Sequence, residues 1–102
     1  MRSYTLSARR DDANGSHASV RAARVVLDTS LAGRTDALNP VELLLAALAA
    51  CMIKGVERAA PMLTFDFTGV SVTLRAERQD APPKLTAITL SWSWRNQRAT
   101  IA

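Results

Sequence analysis

The chain has 102 residues, enough for one domain and too few for a two-domain enzyme. Hydrophobic residues make up 48% and charged residues 22%, ordinary globular usage that excludes wholesale disorder. Lys and Arg outnumber Asp and Glu by 13 to 9, a net charge of +4, but the arginines are scattered and no run of five like charges occurs. Scattered cations read as a solvated surface, so no nucleic-acid partner is expected.

Cys51 is the only cysteine, which excludes an internal disulfide framework and points to a reducing, cytoplasmic setting. The N-terminus lacks the apolar core of a signal peptide. The longest apolar run, Leu43 to Ile53, is shorter than the roughly 18 residues a membrane-spanning helix needs, so no membrane partner is expected.

In chain order, Tyr4, Leu6 and Ala8 alternate with Thr5, Ser7 and Arg9, the period of a half-buried strand. Residues 11–16 follow as a turn, with Asn14-Gly15 as its signal because both residues tolerate positive φ. A second strand is predicted over Ala18–Ala22, a third over Arg24–Thr29 and a loop over 32–36.

A helix is then predicted with Asn39 as N-cap, Pro40 at the first position, and Glu42 placed to reach back to the cap N–H. From Leu43 to Ile53 it is apolar all round, so it demands burial by a wrapping sheet or by a partner's helix. Pro61 stops it. A fourth strand is predicted from Phe65 to Ala76 with a bulge at Gly69, then a turn over 78–83. Thr86, Ile88, Leu90, Trp92 and Trp94 share one face of a fifth strand, and 96–102 has no period. The order β-β-β-α-β-β is an α+β layer arrangement in a single domain, 1–102.

Chemistry-bearing residues are few. Cys51 is the candidate nucleophile, although a lone Cys within an apolar helix also serves as packing. Glu42 either caps the helix or orients an arginine. His17, the only histidine, reads as an exposed turn residue rather than a base. Trp92 and Trp94 read as core or subunit interface rather than base-stacking platforms. One Cys and one His cannot build a tetrahedral metal site, and no glycine-rich phosphate loop occurs, so no metal or cofactor is expected.

The stretch from Asn39-Pro40-Val41-Glu42-Leu43 to Ala49-Ala50-Cys51-Met52 resembles the central-helix signature of the OsmC/Ohr family, the osmotically inducible and organic hydroperoxide resistance proteins. Leu27-Asp28-Thr29, Gly33-Arg34 and the segment from Arg78 to Pro83 look like an OsmC-like subgroup. The resemblance implies an OsmC-like fold: an intertwined homodimer with antiparallel sheet around buried central helices and sites at the subunit interface. It implies a thiol-dependent hydroperoxide reductase of oxidative stress defence, with Cys51 as peroxidatic thiol, Arg10 as the nearest match for the activating arginine, and Glu42 as its partner. The family's second, resolving cysteine has no counterpart in these 102 residues, and the expectation is a domain without the C-terminal helical segment that carries it. Turnover through Cys51 would therefore need an external small or protein thiol. The other reading is a non-catalytic OsmC-like dimer, a binding or structural module with Cys51 in its core.

Overall fold

A computed structural model describes residues 1–95. The order is β1 (Ser7–Asp12), β2 (Gly15–Val20), β3 (Ala23–Leu27), α1 (Pro40–Met62), β4 (Gly69–Asp80) and β5 (Pro83–Arg95), the expected α+β arrangement. The unpatterned segment 96–102 lies outside the described residues. Two compact units divide the chain, Met1–Leu44 and Leu45–Ala102.

The first unit is an antiparallel meander, β1-β2-β3. Arg9 pairs with His17 and His17 with Val26; Ala8 pairs with Ala18 and Ala18 with Val25. Alternation thus puts Ala8, Arg10, Ala18 and Val25 on one face and Arg9, His17 and Val26 on the other. The first two strands run closer to the turn than the sequence pattern indicates. The turn is Ala13-Asn14, the Asn14 N–H donating to Asp12 Oδ1 at 2.7 Å, and Gly15 already belongs to β2. Positive φ falls instead on Arg21, at 53°, in the Arg21-Ala22 turn between β2 and β3. A register shift between Arg10 and Asp12 leaves Asp11 as a bulge. From that bulge Asp11 reaches His17, so His17 is a half-buried strand residue and not an exposed turn residue.

After β3 the chain closes a loop. Leu27 bridges Leu38 in parallel, and the Asp28 N–H donates to Leu38 O at 2.8 Å.

The second unit holds most of α1 and the antiparallel ribbon β4-β5. Val70, Val72, Leu74 and Ala76 face Trp94, Trp92, Leu90 and Ile88 pair by pair, giving one apolar face. The opposite face carries Ser71, Thr73, Arg75 and Glu77. Phe65 and Phe67 precede β4 instead of belonging to it, and the bulge sits between Glu77 and Arg78 rather than at Gly69. The turn shrinks to Ala81-Pro82, since Arg78 and Gln79 find ladder partners in Leu85 and Lys84. Pro61 lies inside the last turn of α1, which ends one residue later.

Among the described residues, Ala18 and Ala60 are the buried apolar side chains, while Leu90 is 50% and Trp94 51% exposed. In α1 only Ala60 is buried. One chain therefore leaves the apolar helix without the cover its sequence demands.

Candidate functional site

α1 begins with two reciprocal hydrogen bonds. The Glu42 N–H donates to Asn39 Oδ1 at 2.8 Å, and the Asn39 N–H donates to Glu42 Oε1 at 2.9 Å. This capping box satisfies donors that the first turn cannot pair within the helix. Glu42 thus acts as a helix cap, as its spacing from Asn39 indicates.

Nine residues further on, Cys51 is a free, exposed thiol. Helical phase places it in one stripe with Leu44 and Leu48, 44% and 37% exposed. The other stripe, Val41, Leu45, Ala49, Met52 and Val56, is half-buried. Cys51 therefore stands on the less covered side of the helix. Arg10 is exposed on β1, directly across from Ser16, and its guanidinium makes no hydrogen bond or ion pair among the described residues. Arg10, Glu42 and Cys51 thus occupy three local settings: a strand of the meander, a helix cap and a helix interior.

The loop ahead of α1 is organised by Asp28, 6% exposed. Its Oδ1 accepts from the Ser30 hydroxyl at 2.8 Å and from the Ser30 N–H at 3.1 Å, and its Oδ2 from the Arg34 N–H at 2.8 Å. Foremost the Ser30 hydroxyl, and after it the Arg34 amide, hold the Asp28 carboxyl below the ordinary carboxylate range. Gly33, with φ at 86°, makes the reversal that lets this happen. Arg34 then grips Asp36 through Nε at 2.8 Å and Nη2 at 2.9 Å, and its Nη1 donates to Asn14 O at 3.3 Å. That last bond ties the loop to the β1-β2 turn.

Between residues 24–26 of β3, residues 34–38 of the loop and Glu42 runs an open groove of about 790 Å³. Its organisers, Asp28 and Arg34, are not among the residues the sequence marks as candidate chemistry. The available signals were the Asp-x-Ser spacing of an Asx turn and the glycine beside Arg34. His17 Nδ1 lies 2.9 Å from both Asp11 oxygens, and this hydrogen bond is the main reason the Asp11 carboxyl sits below its usual range. Among the described residues no three His, Cys, Asp or Glu side chains gather to hold a metal ion, and no helix is long and apolar enough to cross a membrane.

Among curated protein sequences none matches significantly. In fold, the chain is similar to an OsmC-like protein from Mycoplasma pneumoniae at a TM-score of 0.82 and 20% identity, over 96% of this chain and 72% of that one. It is also similar to a Psychrobacter arcticus 273-4 protein named for osmotic stress induction and a detoxification response. There the TM-score is 0.80 and the identity 16%, over 95% of this chain and 74% of the other. The family model for OsmC-like proteins matches residues 33–100, which include the Asn39–Glu42 cap, α1 with Cys51, and the β4-β5 ribbon. On that match, covering more than half of its length, the chain belongs to the OsmC-like protein family.

Proposed function

We propose that the protein is a cytoplasmic homodimer that reduces organic hydroperoxides with Cys51 and an external thiol. The observation that carries this reading is an exposed thiol in the middle of a capped, apolar helix within the matched family region. The Cys51 thiolate attacks the terminal oxygen of the hydroperoxide, the O–O bond breaks, and the alkoxide leaves as the alcohol after taking a proton. Sulfur is oxidised to sulfenic acid. An incoming thiol condenses with it to a mixed disulfide and water, and a second thiol equivalent releases Cys51 as thiol with an external disulfide as product. Attack depends on the thiolate, so a cation must stand near the sulfur, and Arg10 is the candidate. Glu42 is the candidate positioning carboxylate, through the oxygen not committed to the Asn39 N–H.

The test is consumption of an organic hydroperoxide by the pure protein in the presence of a dithiol. Cys51→Ser is expected to reduce the rate to that of dithiol alone; an unchanged rate overturns the assignment.

A second reading, a non-catalytic dimeric module, is favoured by one observation. Among the described residues no hydrogen bond or ion pair engages the Cys51 thiol. It predicts a thiol that alkylates slowly at pH 6 in the native protein, whereas the enzyme reading requires rapid alkylation there.

A further inference from the structure

The C-terminal end of α1 turns back on itself and forms a small cup. The Phe65 N–H donates to Ala60 O at 2.9 Å and the Thr64 N–H to Pro61 O at 3.3 Å, with Thr64 at a φ of 49°. This is a Schellman closure with Thr64 in the left-handed position, and it seats Phe65 against Ala60. The resulting open depression of about 290 Å³ is lined by Glu57, Ala60, Pro61, Phe65, Asp66 and Phe67.

Its walls combine two kinds of group. The Phe65 and Phe67 rings stack at 6.0 Å with an interplanar angle of 15°. Trp94 meets both nearly at right angles, at 5.4 and 6.1 Å, fixing the pair from the ribbon side. The charged lining residues, Glu57 and Asp66, are both acidic. The Glu57 carboxylate makes no hydrogen bond or ion pair among the described residues. The negative end of the helix dipole lies in the same place, and the last turn of α1 carries no basic residue to offset it. Arg58 follows Glu57 but is a hundred degrees round the helix and does not line the cup.

We infer that this cup binds a small organic ammonium ion, its alkyl groups against the phenylalanine rings and its charge facing Glu57 and the end of α1. Aromatic faces attract cations through their quadrupole, and a carboxylate beside them adds direct Coulomb attraction. The alkyl shell of a quaternary ammonium matches the apolar walls, while an inorganic cation would have to shed strongly held water there.

The experiment is a titration of the full chain with choline at constant ionic strength, following tryptophan fluorescence, since Trp94 touches both rings. The neutral isostere 3,3-dimethyl-1-butanol is the matched control. A saturable change with choline and none with the alcohol is expected. Glu57→Gln and Phe65→Leu should each weaken binding about two- to fivefold, the range of an exposed cation–π or carboxylate contact. Phe65→Tyr, which keeps the ring, should bind as wild type does. The inference fails if choline gives no saturable change, if the alcohol matches it, or if Glu57→Gln leaves the affinity unaltered. Circular dichroism of each variant separates lost binding from lost fold, and Glu57, being exposed, is the variant whose fold is safest.

Discussion

Asn39 and Glu42 each satisfy the other's backbone donor, so removing one side chain strands an amide at the start of α1. Asn39→Ala is expected to destabilise the protein by about 1 kcal/mol, read as a lower urea midpoint at unchanged slope. Asp28 carries a different prediction, because its carboxylate accepts three hydrogen bonds and its charge is favoured by them. Asp11 and Asp36 are also held below the ordinary range, by His17 and Arg34 respectively. A carboxylate with a lowered folded pKa contributes stability that is fully present above the unfolded value, about 3.9. That contribution disappears as pH falls through the lower folded value. Unfolding midpoints should therefore be flat above about pH 5 and fall as pH drops below 4. Asp28→Asn should lower the plateau and make the acid decline shallower, since the charge-dependent part is gone; a decline of unchanged steepness would place the proton uptake elsewhere.

At the level of elements, the parts of the fold written in local spacing were the parts visible in the sequence. Asn39, Pro40 and Glu42 define a helix start through contacts three residues apart, and the box forms as their spacing indicates. The ends of β4 depended on something else. Phe65 and Phe67 alternate with Asp66 as strand residues do, yet Thr64 has already set the chain direction by closing the helix, and the two rings stack ahead of the ribbon. That outcome rests on a β-branched residue with positive φ, which no periodicity reveals. Thr64→Gly should accordingly stabilise the protein by about 1 kcal/mol, because glycine takes the left-handed position without a Cβ clash. Gly15 behaves in the opposite way. A Cβ there would stand 2.6 Å from Arg34 Nη1 and 3.0 Å from Leu27 O. The guanidinium cannot swing freely, since Asp36 holds it twice, so Gly15→Ala should cost about 1–3 kcal/mol in urea unfolding and release the loop from Asn14 O.

For the whole molecule, the governing fact is how little of its apolar surface one chain covers. Nearly half the residues are hydrophobic, yet the buried apolar side chains among the described residues are two alanines. Leu44 and Leu48 stand open on α1, and Ile88, Leu90, Trp92 and Trp94 stand open on β5. The helix's need for cover was legible in the all-round apolar run from Leu43 to Ile53, while the source of that cover was not, because sequence spacing carries no information about a second chain. Nor did spacing show whether Arg10 serves Cys51, since the meander fixes Arg10 only relative to Ser16 and its own sheet. Open apolar faces of this extent are uncommon on the exterior of a monomer. If a second copy supplies the cover, the protein should sediment as a dimer at micromolar concentration, and its melting temperature should rise with concentration, because association stabilises only the folded chain. Leu48→Glu places a charge on the exposed stripe of α1 without touching the capping box or the sheets. It should shift the protein to monomer and remove the concentration dependence of melting. A variant that remains dimeric would show that the Leu44–Leu48–Cys51 side of the helix faces solvent in the assembly and that the ribbon face alone holds the two copies together.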